Sequence, residues 1–250
     1  MPSHQHHHDH THSHSLGEQN RHHFDQVAST IFQEEWVVIL CEQVTRNLRA
    51  QFSWMGVRNN SNEPLTMLDY ACGNGVVSRA MAKHIPIIRG MDISSGMVEQ
   101  YNDQAAKAGH APSAMHAVQG DIVESAATTS TPQPTYDLII MSLALHHVQD
   151  PNGLIAKLAQ QLKPRTGVLV ILDWIHPEES GRGDWMKTVE ASDNPARHTV
   201  TRPGFKEDDL KGVFAQAGLE GWKWERFDEE SVIPNVPNQR GFLARGIRKA

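Results

Sequence analysis

The stretch LDYACGNG, residues 68–75, decides the fold of this chain. It is a short apolar approach that contains one acid, Asp69, and it ends in two glycines one residue apart, Gly73 and Gly75. A glycine directly after a buried strand lets a ligand approach the main chain, because no Cβ stands in its way. The stretch therefore predicts a strand, a ligand-binding turn and the beginning of a helix.

Short apolar runs alternate with amphipathic helical patterns from residue 65 onward. The predicted strands cover residues 65–71, 87–93, 115–122, 136–145, 167–175, 218–227 and 240–249. The run at 136–145 is apolar throughout, as in parallel strands that are buried on both faces. The alternation predicts an α/β fold with a doubly wound, seven-stranded and mostly parallel sheet, which binds its ligand at the carboxyl ends of the strands.

The composition argues against several cellular compartments and classes of partner. The formal net charge is −6 and no basic stripe stands out, which argues against a nucleic-acid surface. No apolar run approaches the ~20 residues that a membrane span needs, and the N-terminus lacks the apolar core of a signal peptide. Cys41 and Cys72 are too few for a disulfide framework or a cysteine zinc site. We expect a cytoplasmic protein.

The chain divides into four predicted parts. Residues 1–23 hold nine of the 16 histidines; they read either as a metal-chelating tract or, as we expect, as a disordered tail, and we expect no metal site in the fold. Residues 24–57 carry two helical patterns that we expect to form part of a lid. Residues 65–250 form the ligand-binding domain, and its glycine- and proline-punctuated segment 176–204 is the expected insert on the substrate side.

Acids follow two further strands at the predicted binding edge. Asp92 ends the second strand, where a carboxylate can accept hydrogen bonds from ribose hydroxyls, and Asp121 ends the third, where it can accept from an exocyclic amine such as that of adenine. Each acid alone is also a common turn or cap residue. Ser78 replaces the third glycine of a dinucleotide fingerprint, which argues against an NAD-dependent oxidoreductase.

Four segments carry a family resemblance: LDYACGNG, GMDISSGMV, VQGDI and YDLIIMSLALHHVQDP. They resemble the successive motifs of class I S-adenosylmethionine-dependent methyltransferases, and within them the type 11/12 group related to quinone-biosynthesis methyltransferases. The chain is similar over about residues 20–250 to the free-standing fungal members that act on small secondary metabolites. The resemblance implies a Rossmann-like methyltransferase fold with an N-terminal helical lid and S-adenosylmethionine as cofactor.

The resemblance also implies the cofactor-binding residues. They are Asp69, which orders the glycine loop, with Ala71, Cys72, Gly73, Asn74, Gly75, Asp92, Ile93, Met97, Gly120, Asp121, Ile122, Ser142 and Leu143. Two positions depart from the family pattern. Ala71 stands where a glycine is usual, and Ile31 stands where relatives often have a tyrosine that closes over the cofactor, so Phe24 or Phe32 is expected to take that place.

The substrate side offers weaker signals. His147 is the expected catalytic residue, as a base or polar clamp near the transferred methyl, although a ring bonded to backbone is an equal alternative. Phe24, His176, Trp185 and His198 are the expected substrate contacts. We read the neighbouring His146 as structural, and Trp222 and Trp224 as packing residues.

The predicted function is transfer of a methyl group to a hydroxyl, thiol, amine or carbon of a small molecule, by in-line displacement. The alternative is a catalytically silent methyltransferase-like protein that regulates or assists a protein partner. The expected assembly is a monomer or a homodimer.

Overall fold

The computed structural model describes residues 15–59, 62–125, 134–179 and 199–250. Its strands are β1 (Thr66–Tyr70), β2 (Ile87–Asp92), β3 (Met115–Gln119), β4 (Leu138–Ser142), β5 (Val168–Trp174), β6 (Leu219–Arg226), β7 (Ser231–Ile233), β8 (Val236–Gln239) and β9 (Gly241–Arg248). Seven of them form one sheet in the order β3-β2-β1-β4-β5-β9-β6. Pairing is parallel from β3 to β5, and β9 runs antiparallel between β5 and β6. The predicted mostly parallel seven-stranded sheet is confirmed.

Helices cover both faces of this sheet. They are α1 (Leu16–Val27), α2 (Glu35–Ala50), α3 (Phe52–Met55), α4 (Val76–Met81), α5 (Ser95–Lys107), α6 (Ile122–Ser125), α7 (Pro151–Gln160) and α8 (Glu207–Gln216). One apolar layer joins α2, α4 and α5 to the sheet through residues such as Leu48, Met81 and Tyr101. The other joins α7 and α8 to the opposite face through Leu158 and Phe214. The five parallel strands β1 to β5 have their carboxyl ends at the same edge of the sheet.

The N-terminal segment is more ordered than its composition predicts. The expectation of a disordered tail is wrong for residues 16–23, which are helical, whereas residues 1–14 lie outside the described part. Ser15 starts α1 with a capping box: its hydroxyl accepts from the Glu18 amide, and the Glu18 carboxylate accepts from the Ser15 amide. The predicted helix starting at Phe24 ends at Val27, and a short 3-10 helix follows at Ile31–Gln33.

The β7–β8 hairpin is a feature that the sequence analysis missed. It packs against α2 through Gln43, whose buried amide donates to the carbonyl oxygens of Glu229 and Glu230 and accepts a 2.6 Å bond from the Ser231 hydroxyl. Trp222 and Trp224 stack on each other with ring centroids 6.1 Å apart, as packing residues of β6. In the described part of the chain, no helix combines the length and the apolar character that a membrane crossing needs.

Candidate functional site

A cavity of about 630 Å³ lies at the carboxyl ends of the parallel strands, between the sheet and helices α1 and α2. Most of the predicted site residues line it: Phe24, Ala71, Cys72, Gly73, Asn74, Asp92, Ile93, Met97, Gly120, Asp121, Ser142, Leu143 and His147. Asp69, Gly75, Ile122 and His176 lie outside the described lining. Trp185 and His198 lie outside the described residues.

His176 follows β5 without reaching the cavity. It is half-buried, its main-chain amide donates to the Phe205 oxygen, and its Nδ1 accepts from the amide of Glu178. The ring thus closes a local turn. The structure does not bring His176 together with the other expected substrate contacts.

Neighbouring side chains explain why glycine is needed in the turn after β1. Gly75 has φ +82°, and a Cβ there would lie 2.7 Å from Cδ2 of Tyr101, so only glycine fits under that ring. A Cβ at Gly73 would meet Phe32 at an ordinary 3.5 Å. Ala71, where the family usually has glycine, holds a left-handed φ of +56°. The Tyr101 ring therefore requires glycine at position 75, and Phe32 lies over the turn at Gly73.

Asp69 ties this turn to the sheet. Its Oδ2 accepts from the amide of Ser78 at 3.1 Å and from the hydroxyl of Ser78 at 2.7 Å, and Tyr101 in turn donates to that hydroxyl. Burial raises the pKa of Asp69 to about 7, against the effect of the Ser78 hydrogen bonds. Its Oδ1 and the Oδ1 of Asn74 are buried and have no hydrogen-bond partner within the described residues. Both oxygens lack a donor.

Asp92 is placed between the turn and the next helix. Its Oδ2 accepts from the amide of Gly73 at 2.9 Å, and its Oδ1 accepts from the amide of Ser94 at 3.0 Å. Burial raises the pKa of Asp92, and these two amides act in the opposite direction. Each carboxylate oxygen keeps a second lone pair for a ligand donor.

Asp121 is held by a residue that sequence reasoning did not select. The hydroxyl of Tyr70, at the end of β1, donates to Asp121 Oδ1 at 2.9 Å, and the amide of Val123 donates to the same oxygen at 2.7 Å. Burial, followed by the charge of Asp121, raises the pKa of Tyr70, so the phenol stays a donor. Tyr70 also lines the cavity.

The chemistry of these groups fits S-adenosylmethionine. Three residues with side-chain acceptor oxygens, Asn74, Asp92 and Asp121, line one side of the cavity. The cofactor carries matching donors in its ammonium group, its ribose hydroxyls and its adenine amine. Acceptors that are left open in a cavity are satisfied by the donors of the ligand it binds.

Helix α1 closes the cavity and is bonded at two places. Near its end, Asp25 Oδ1 accepts from the Ser94 hydroxyl at 2.6 Å and from the Gly96 amide at 3.0 Å, at the start of α5. Burial acts to raise the pKa of Asp25, but the hydrogen bonds from Ser94, Gly96 and Ser95 outweigh it, so the pKa is lowered. Near the middle of the helix, the Asn20 amide donates to the His147 carbonyl oxygen at 3.3 Å. The expected lid thus includes residues of the expected tail.

His147 lies in the cavity wall as a neutral imidazole. Its Nδ1 is 3.0 Å from both the carbonyl oxygen and the hydroxyl oxygen of Thr199. Because the carbonyl oxygen only accepts, the tautomer that suits both contacts has the proton on Nδ1 and the lone pair on Nε2. Burial, reinforced by His146, holds the pKa of His147 well below its usual range. The Phe24 ring meets the imidazole edge to face, with centroids 5.6 Å apart.

His146 is a structural neighbour of this histidine. Its Nδ1 lies 2.7 Å from Asp173 Oδ1, and its main-chain amide donates to Asp173 Oδ2 at 3.2 Å. Both side chains are buried, and Asp173 is fully so. The pair fixes the short 3-10 helix Leu145–His147 against β5, and thereby fixes the main chain of His147.

Sequence reasoning missed Asn20, Asp25 and Tyr70 in this site. Asn20 and Asp25 fall in or beside the histidine-rich segment, where composition masked the capping signal of Ser15 and Glu18. That signal, a serine followed three residues later by a glutamate, predicts a helix starting at Leu16. Tyr70 lies within the motif LDYACGNG itself, but its partner is 51 residues away.

Comparisons with known proteins agree with this geometry. Residues 38–223 match a family described as a methyltransferase domain. An uncharacterised methyltransferase of Schizosaccharomyces pombe is 28% identical over 156 residues, which are 62% of this chain and 53% of that protein, so the chain spans about half of this relative. A ubiquinone biosynthesis O-methyltransferase of Vibrio campbellii is 31% identical over 98 residues, 39% of each protein.

A solved structure shares the fold along nearly the whole chain. Magnesium protoporphyrin IX methyltransferase from Synechocystis, determined with bound S-adenosylmethionine, superposes with a TM-score of 0.66. The match covers 95% of this chain and 99% of that chain at 14% sequence identity. At that identity the likeness shows the fold alone.

Proposed function

This chain belongs to the methyltransferase-domain family, and from that premise we propose that it is an S-adenosylmethionine-dependent methyltransferase whose acceptor is a hydroxyl group of a small, largely apolar molecule. The observation that carries the proposal is the neutral His147, whose lone pair is on Nε2 in the wall of the cavity. A hydroxyl keeps its proton at neutral pH until attack, and a neutral imidazole beside it can accept that proton.

The residues that would hold the cofactor are those with acceptor oxygens in the cavity wall. Asp92 would accept from the ribose hydroxyls and Asp121 from the adenine amine, while Tyr70 and the loop amides keep both carboxylates in place. Asn74, which lines the cavity, would border the methionine part of the cofactor, and Asp69 would hold the turn from behind through its bonds to Ser78. When bound, S-adenosylmethionine supplies a methyl group activated by its sulfonium.

The chain contributes orientation, exclusion of water and a proton acceptor. Helix α1 covers the cavity through Asn20 and Asp25. His147 would take the proton of the acceptor hydroxyl on Nε2, and Thr199 holds the ring in the tautomer that allows this. Positioning of this kind contributes about 7–11 kcal/mol to lowering a barrier, and a placed base about 10²–10⁴-fold in rate.

The lining supports an acceptor with an apolar body. Helix α2 contributes Val37, Leu40, Cys41 and Val44 to the cavity. Burial raises the pKa of the Cys41 thiol to about 11, so it behaves as an apolar group at neutral pH. A role in fungal small-metabolite chemistry and a cytoplasmic location belong to the same proposal; the similarity to a Schizosaccharomyces pombe protein supports its fungal part alone.

Turnover on a panel of acceptors tests the proposal. The panel pairs phenols with anilines, thiols and carbon acids of the same size, and product is detected by mass as a gain of one methyl group. We expect phenols to be methylated, and His147→Ala to lower kcat by about 10²–10⁴-fold with cofactor affinity intact.

The following results would contradict the proposed function. Methylation confined to nitrogen, sulfur or carbon would remove the hydroxyl from the proposal. An unchanged kcat in His147→Ala would return this histidine to a structural role. Absence of turnover on every acceptor class would favour the silent, partner-binding alternative.

A further inference from the structure

A second groove, of about 650 Å³, lies beside the cofactor cavity, between helices α2 and α4. One face of α2 lines it, with residues that recur at helical spacing: Val38, Cys41, Glu42, Thr45, Arg46 and Arg49. The neighbouring face of α2 carries Val37, Leu40 and Val44 into the cofactor cavity. The groove and the cavity therefore use different faces of one helix, and methyl transfer assigns no role to the groove.

Positive charge dominates the rim of the groove. Three arginines line it, Arg46, Arg49 and Arg79, against one acid, Glu42. Arg46 is paired with Glu229 at 3.1 Å, whereas Arg49 and Arg79 form no ion pair within the described part of the chain. Two guanidinium groups at one groove thus lack a counter-ion, which favours an anion as the ligand.

Main-chain oxygens hold these two guanidinium groups at the groove. Arg79 Nη1 donates to the carbonyl oxygen of Asn74, and Arg49 Nε donates to that of Ala80 at 3.5 Å. Burial lowers the pKa of Arg79, and the charge of Asp69 acts in the opposite direction without forming an ion pair. A guanidinium has several further N–H donors, and these are left for a ligand.

The floor of the groove is apolar. It consists of Phe32, Val38, Val76 and Ala80, and Val38 is 42% exposed to solvent. Small-molecule sites have this size, and they combine an apolar lining with a few polar groups that fix the orientation of the ligand. A ligand with an apolar body would cover Val38 while its charged end reached the arginines.

We propose that this groove is a second ligand site, which binds a small carboxylate with an apolar body. The carboxylate accepts from Arg49 and Arg79, because the planar guanidinium matches a carboxylate in both geometry and charge. The site is separate from that of the methyl acceptor, whatever the role of His147. Phe32 and Asn74 line both the groove and the cavity, so the bound carboxylate shares a wall with the cofactor.

The test is binding of two matched probes, 4-phenylbutyrate and the uncharged 4-phenylbutyramide, to protein saturated with S-adenosylhomocysteine. The probes have the same size and shape, and only the first carries a charge. Calorimetry is run on the wild type, Arg49→Gln, Arg79→Gln and, as a control of equal charge change, Lys211→Gln. Lys211 is exposed on α8, on the opposite face of the sheet.

We expect the wild type and the control to bind the carboxylate about 10–30-fold more tightly than the amide. Each arginine substitution should weaken carboxylate binding about 3–10-fold and leave amide binding within about twofold. Arg49 is exposed, so Arg49→Gln preserves the fold if Arg79→Gln disturbs it. A further variant, Val38→Glu, places a like charge on the floor and should weaken carboxylate binding by about 5–10-fold or more.

Three outcomes overturn the proposal. The wild type shows no preference for the carboxylate, or the preference is unchanged in both arginine variants. In the third, the carboxylate binds only when S-adenosylhomocysteine is absent, which would place it in the cofactor cavity. The readout is binding without methyl transfer, so it is independent of the turnover measurements that decide the acceptor.

Discussion

Replacing Asp92 by alanine tests how the cavity holds its cofactor. The wild-type carboxylate is 8% exposed, already accepts from the amides of Gly73 and Ser94, and has one free lone pair on each oxygen. Two hydrogen bonds from ribose hydroxyls to an ionised carboxylate contribute about 1.5–3 kcal/mol each. Their loss costs about 3–6 kcal/mol, and at about 1.4 kcal/mol per factor of ten the affinity falls roughly 10²–10⁴-fold.

The assay is calorimetric titration with S-adenosylhomocysteine, which needs no acceptor. The matched control is Asp103→Ala, an acid on the surface of α5 that pairs with Lys107 and changes the net charge equally. The control should bind as the wild type does. An Asp92→Ala protein that is folded and binds within about threefold of the wild type would refute the ribose role.

Three further predictions concern the lid, the pH dependence and the fold. Asp25→Ala removes the hydrogen bonds from α1 to the start of α5. S-adenosylhomocysteine should then bind about 3–10-fold more weakly, and hydrogen exchange in α1 should accelerate. Unchanged exchange would show that these bonds do not hold α1 over the cavity. Burial raises the pKa of Asp69 to about 7, and the positive charge of a cofactor ammonium near the turn favours its ionised form. Cofactor affinity should therefore be constant above pH 7 and fall up to tenfold per pH unit below it; a flat profile from pH 5.5 to 8 in calorimetry would exclude this coupling. Asp173→Ala leaves the ring and the main-chain amide of His146 without their acceptor. The free energy of unfolding, measured by urea denaturation, should fall by about 3–5 kcal/mol. A loss under 1 kcal/mol would show that the fold does not depend on this pair.

The framework of the site could be predicted from sequence because it follows from local patterns. Each parallel strand carries a short apolar run, and the residue at its carboxyl end falls at the same edge of the sheet whatever else the chain does. The sequence therefore predicts that Asp92 and Asp121 lie at one binding site, and both line the cavity. The position of His147 followed in the same way, from the end of β4.

The tertiary structure alone decided how that framework is closed and tuned. Asn20 and the His147 carbonyl are 127 positions apart, His146 and Asp173 are 27 apart, and such pairs leave no periodic trace in the sequence. The tautomer of His147 depends in the same way on Thr199, 52 positions away. A strand's own residues dictate where its end lies, whereas the partner of a side chain there is set by what folds against it, and this is the physical reason for the division.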